Sequence, residues 1–145
     1  TIVEFHPKPK SKILVLPYFR AGVSAGTGIF ILGNEAEDDI ELPALPEYES
    51  ADFAIDVNGD SMEPEIMDND IVLIDQGKRD VTPGRLYAIG FDEAIYLKRI
   101  DILPGKVILK STNAAYPPVE LDTRGDCEDA FRVIGRVLWC GREYK

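Results

Sequence analysis

What most limits how this chain can fold is a succession of short apolar runs cut by turn signals, with no sustained apolar repeat at helical spacing. The runs are Ile13 to Pro17, the alternating Phe53, Ile55 and Val57, then Ile71 to Asp75, Arg85 to Ile89, Ala94 to Ile100, Lys106 to Lys110 and Phe131 to Trp139. Each has the length of a strand. Asn58-Gly59, Gln76-Gly77-Lys78 and Pro104-Gly105 punctuate them, and Pro104-Gly105 predicts a hairpin. The pattern predicts a mostly β fold of several short strands, with at most one short helical turn after Ser61. A length of 145 residues suits one domain around one core, and no internal repeat is visible.

The stretch that carries chemistry is Val57-Asn58-Gly59-Asp60-Ser61-Met62-Glu63-Pro64, running on through Glu65 to Asp75. A strand stops at Asn58-Gly59, so Ser61 sits where the backbone turns and its hydroxyl is presented rather than buried. By itself such a serine reads as a helix cap or a turn hydroxyl. Lys98 follows 37 residues later, in Ala94-Ile95-Tyr96-Leu97-Lys98-Arg99-Ile100, and strand alternation puts it on one face with Tyr96 and Ile100. Taken alone, that lysine reads as a charge that protects a sheet edge from unwanted pairing. A lysine can activate a serine only as the neutral amine, which burial against apolar groups favours. A Ser-His-Asp arrangement lacks its histidine, since His6 is the only one and lies in a proline-punctuated stretch.

A third stretch, Ala21 to Gly28, is nearly all small residues and contains Val23-Ser24-Ala25-Gly26. Such a segment stays extended and can enter a narrow groove. The three stretches together resemble the LexA-type self-cleaving repressors, serine peptidases of family S24 that include lambdoid phage repressors and the mutagenesis protein UmuD. The resemblance implies a LexA-like, signal-peptidase-like β fold in which Ser61 is the nucleophile and Lys98 its general base. It also implies that Ala25-Gly26 is the scissile bond, with Val23 and Ser24 in the substrate segment, and that the backbone N–H groups of Asp60 and Ser61 form the oxyanion hole. Met62 is expected to pack under the turn. Family likeness further implies a homodimer, with the surface expected around Phe131 to Trp139, and a RecA-type filament or other damage-signalling activator as partner. Type I signal peptidases share the Ser-Lys logic, but they are membrane-anchored, and no apolar run here approaches about 18 residues.

Charge narrows the role. A net charge of −10 and a pI near 4.5 argue against this segment gripping phosphate backbones. Contact with DNA is therefore expected only through an N-terminal domain that this sequence lacks, of helix-turn-helix type if the resemblance holds. Residues 1 to 12 read as the linker to that domain, residues 13 to 145 as the peptidase and dimerisation domain, and 20 to 33 as its cleavage loop. Cys127 and Cys140 have no metal-ligand spacing and read as reduced thiols. Asp68-Asn69-Asp70 lacks the glycine and glutamate that a calcium loop needs downstream, so no metal and no cofactor is expected. The acidic, proline-bearing segment from Gly33 to Ser50 reads as a solvated loop. No signal peptide or membrane span is legible, and a bacterial or phage cytoplasm is the expected location.

Two rival readings remain at this level. One is a dimerisation or partner-binding module of a repressor that keeps the fold and is never cut; the other is a peptidase acting on other proteins. Fragments ending at Ala25 and beginning at Gly26 would favour self-cleavage, and an unchanged mass the binding module.

Overall fold

The computed structural model of the chain describes residues 12–20, 36, 38–91, 94–123 and 131–144. Nine strands follow one another among them: β1 (Ile13–Phe19), β2 (Asp38–Pro43), β3 (Phe53–Asp56), β4 (Ile71–Asp75), β5 (Leu86–Phe91), β6 (Ala94–Leu103), β7 (Lys106–Lys110), β8 (Val119–Asp122) and β9 (Phe131–Gly141). They form one mixed sheet in the order β2-β1-β3-β4-β9-β5-β6-β7-β8. Only β1 and β3 run parallel; the other neighbours are antiparallel. The described residues contain no helix, so the mostly β reading holds.

The strand pattern explains which parts are central. In β3 and β4, Phe53, Ile55, Val72 and Ile74 join one apolar cluster, while Ala54 and Leu73 between them join another. These two strands are thus covered on both faces, which is why they read as apolar runs rather than as apolar-polar alternation. The second cluster is closed by Tyr48, whose ring stacks on Trp139 at 5.6 Å between centroids. A third cluster gathers Tyr87, Ile89, Ile100, Val107 and Leu109 from β5, β6 and β7.

β9 unites the two halves of the sheet, pairing with β4 along one edge and β5 along the other. Both ladders have an irregular register, and just past the end of the β4 ladder an added Cβ at Gly135 would stand 2.5 Å from the Asp75 carbonyl oxygen. Only glycine fits such an approach. Residues Arg136 to Gly141 of β9 pair with β4 and Phe131 to Arg136 with β5, so each edge of this strand is hydrogen-bonded over about half of its length.

Two strands depart from the expectation. Part of the acidic segment read as a loop is β2, paired with β1 from Ile13↔Pro43 to Tyr18↔Asp38. Ile40 and Leu42 pack on the second cluster while Asp39, Glu41 and Pro43 face outward, and charge on an outer strand discourages further pairing. The charge run hid a two-residue period. β8 was likewise missed: its four residues alternate weakly, and it exists by pairing with β7. The small-residue segment with Val23, Ser24, Ala25 and Gly26, residues 1–11 of the expected linker and Cys127 lie outside the described residues.

Candidate active site

Ser61 is carried on a closed excursion between β3 and β4. Its base is tied by main-chain bonds from Val57 N–H to the Asp70 carbonyl (2.7 Å) and from Asn69 N–H to the Val57 carbonyl (2.8 Å). Gly59 has φ of 100°, a conformation that costs glycine little, and its N–H donates to Asp68 Oδ1 at 2.8 Å. The one helical turn expected here is a single closed turn, with the Ile66 N–H on the Met62 carbonyl at 2.9 Å. Met62 and Ile66 are each 2% exposed and root the excursion in the first cluster. Burying each contributes about 1.5–3 kcal/mol. Met62 thus packs under the turn as its place in the sequence suggested.

Behind the excursion lies a fixed carboxylate. Asp70 is 1% exposed, accepts from Nε and Nη2 of Arg142 at 2.7 and 2.9 Å, and also accepts the Met67 N–H. The Arg142 guanidinium holds the Asp70 carboxyl below its usual range against the opposing effect of burial. Cys140 donates to the same carboxylate, and burial pushes its thiol up to about 12, which makes it an inert packing group.

Lys98 arrives from the other half of the sheet, on β6. Its Nζ stands 3.0 Å from Ser61 Oγ and 2.8 Å from Ser111 Oγ. Burial holds its ammonium below the usual lysine range, and no carboxylate among the described residues pairs with it. Its register partner on β5 is Tyr87, fully buried, and Ile100 on the same face is 1% exposed. The face is therefore apolar on its inner side, whereas Tyr96, expected to help bury the lysine, is 44% exposed.

Sequence reasoning missed the segment that grips the serine from the far side. β7 ends opposite Arg99, so the next residue, Ser111, comes to lie beside Lys98. Thr112 N–H then approaches Met62 Sδ at 3.4 Å, and Asn113 N–H donates to the Ser61 carbonyl at 2.9 Å. Asn113 Nδ2 donates to the Asp60 carbonyl at 3.0 Å, and the Tyr116 hydroxyl donates to Asp60 Oδ1. Asp60 was expected to matter through its main chain alone; its side chain is also engaged. The available signal was Ser-Thr-Asn directly after a strand whose hairpin partner carries Lys98.

Among the described residues, no group of three His, Cys, Asp or Glu side chains could hold a metal ion, and no helix is long and apolar enough to cross a membrane. What the arrangement can do is move one proton between a serine hydroxyl and an amine disposed to be neutral.

Residues 17–138 match the sequence family described as Peptidase S24-like, and the chain belongs to that family. It is 37% identical over 83 residues to the repressor protein CI of Enterobacteria phage phi80, an alignment covering 57% of this chain and 33% of that protein. It is 31% identical over 125 residues to the LexA repressor of Thermosipho africanus, covering 84% of this chain and 59% of the repressor. An uncharacterised HTH-type transcriptional regulator of Haemophilus influenzae is 27% identical over 131 residues, covering 86% and 54%. The chain thus spans between a third and three fifths of the length of these relatives. It is a LexA-like domain related to transcriptional repressors.

Proposed function

We propose that this domain cuts its own chain between Ala25 and Gly26, and that the cut separates a DNA-binding part from a dimerising part of a repressor. The observation that carries the reading is the 3.0 Å approach of Lys98 Nζ to Ser61 Oγ, at a lysine that burial disposes to be neutral and that no described carboxylate pairs. Ser61 Oγ attacks the Ala25 carbonyl carbon while its proton passes to Lys98. The resulting ammonium gives that proton to the departing Gly26 amine, and water then releases Ala25 as a carboxylate from the serine ester.

The strand order supports the reading. β1 ends at Phe19, six residues before Ala25, and the register partner of Phe19, Ile55, lies on the strand that leads to Ser61. β2 begins at Asp38, whose Oδ2 accepts from Arg20 Nε at 2.9 Å. From Arg20 to Ala25 the chain reaches about 17 Å when extended. Docking of this segment would expel water, favour the neutral amine and align the carbonyl. An activating partner, such as a RecA-type filament, then need only favour the docked state and contribute no catalytic group. Homodimerisation gives the cut its effect, because two linked DNA-binding parts hold an operator far better than one.

Incubating the purified chain and following fragment masses tests this. Expected are two fragments meeting at Ala25 and Gly26, formed at a first-order rate that does not change with protein concentration. An unchanged mass would leave the domain a non-cleaving dimerisation module, and a rate that rises with concentration would make it a peptidase acting on other chains.

A further inference from the structure

Asn113 has every polar group engaged. Its N–H donates to the Ser61 carbonyl (2.9 Å), its carbonyl accepts the Tyr116 N–H (3.0 Å), its Oδ1 accepts the Ala115 N–H (3.0 Å) and its Nδ2 donates to the Asp60 carbonyl (3.0 Å). Such a side chain is a strut with no free rotamer. It ends on the peptide that joins Asp60 to the nucleophile.

A trans peptide is planar, with its C=O and N–H pointing in opposite directions. Fixing the Asp60 carbonyl therefore fixes where the Ser61 N–H points. That carbonyl is fixed twice on one side, by Asn113 Nδ2 and by the Glu63 N–H at 3.1 Å. The Ser61 N–H consequently faces away from the 111–116 segment. The Tyr116 hydroxyl on Asp60 Oδ1 keeps the same residue from swinging.

We propose that Asn113 is a positioning residue for the oxyanion hole, holding the Asp60–Ser61 peptide so that its N–H is already aimed where negative charge develops on the Ala25 carbonyl oxygen. This rests on the self-cleavage reading. Donors that need no reorientation during the reaction are the ones that lower its barrier most. A serine whose peptide could rotate would keep its hydroxyl on Lys98 and still react slowly.

The test uses the whole chain carrying Asn113→Ser or Asn113→Ala. Serine keeps an oxygen for the Ala115 N–H, as in the related hydroxyl turn, but is too short to reach the Asp60 carbonyl. Self-cleavage is measured from about pH 6 to 11, where the lysine titrates. A peptide boronic acid ending in boro-alanine is titrated in parallel; Ser61 Oγ bonds to boron, the serine proton passes to Lys98, and the boronate carries the negative charge. Expected is a plateau rate lowered about 10- to 100-fold with its pH midpoint unmoved, boronate affinity weakened by a similar factor, and a melting temperature lowered by only a few degrees, so that the chain stays folded throughout the assay. A plateau within about twofold of the wild type, a shifted midpoint, or a loss that follows melting would overturn the role. Absence of both cleavage and boronate binding in the wild type would instead overturn the self-cleavage reading beneath it.

Discussion

The two faces of β6 treat adjacent cations in opposite ways. Arg99 is paired: Nη2 lies 2.7 Å from Glu65 Oε2, Nη1 donates to Thr112 Oγ1, and the Glu65 carboxyl is held below its usual range chiefly by that guanidinium. Lys98, one residue earlier, meets two hydroxyls and a buried ring but no carboxylate among the described residues. A carboxylate beside Lys98 would stabilise the ammonium and abolish its basicity. Arginine next to a carboxylate is permanent charge, whereas lysine among hydroxyls is charge that can be given up.

The sharpest way to break this contrast is to change Lys98. Lys98→Met and Lys98→Arg should each lower fragment formation by at least about 1000-fold, since nucleophile and base act as one unit. Arginine should stay inactive throughout the range in which the wild-type rate rises and levels off, because it remains protonated. The wild-type midpoint should fall below the ordinary lysine value of about 10.4. The same shift acts on stability. The folded chain binds this proton less readily than the unfolded one, so stability should rise with pH between the lowered folded value and the ordinary one. Lys98→Met should remove that slope in urea melts taken across pH; persistence of the slope would assign it to another group.

A smaller effect is expected at Ser111. The hydroxyl accepts an N–H from Lys98 and so leaves the amine lone pair free to face Ser61. Ser111→Ala should lower the plateau about tenfold. It should also move the midpoint to lower pH, because a hydrogen bond to the ammonium is lost. Ser111→Thr should restore both. A reduced plateau with an unmoved midpoint would mean that Ser111 serves packing alone.

The smallest effect belongs to the other face. Glu65 and Arg99 side chains are 40% and 31% exposed, so breaking the pair with Glu65→Gln should cost less than about 1 kcal/mol. The cleavage midpoint should stay where it was. A midpoint that moved would show the two faces to be electrically coupled, and the contrast between them would fail.

Much of this was legible before any coordinates, for reasons that differ by element. β4 and β7 were readable to the residue because each is an apolar run with a strong turn at one end, Gln76-Gly77 after β4 and Pro104-Gly105 before β7. Ser61 and Lys98 were legible as a pair because each stands in a distinctive local pattern at a familiar separation. β2 was not, because its core-facing Ile40 and Leu42 are outnumbered by acidic neighbours and its partner comes earlier in the chain. Ser111 could have been found by extending the hairpin register one pair past Arg99↔Lys110. Asn113 and Tyr116 could not: their shared partner, Asp60, is more than fifty residues distant and is met only once the excursion has folded.

The placement of β9 also sets a schedule for synthesis. Ser61 belongs to the half of the sheet built from β1 to β4, and Lys98 to the half built from β5 to β8; within the sheet the halves meet only through β9, which follows all the others in sequence. A growing polypeptide would thus release Ser61 and Lys98 from the ribosome on two pieces not yet joined in one sheet. Their strands would become parts of one sheet once β9 pairs with both β4 and β5. If the domain cuts itself as proposed, the cut would wait until β9 is in place.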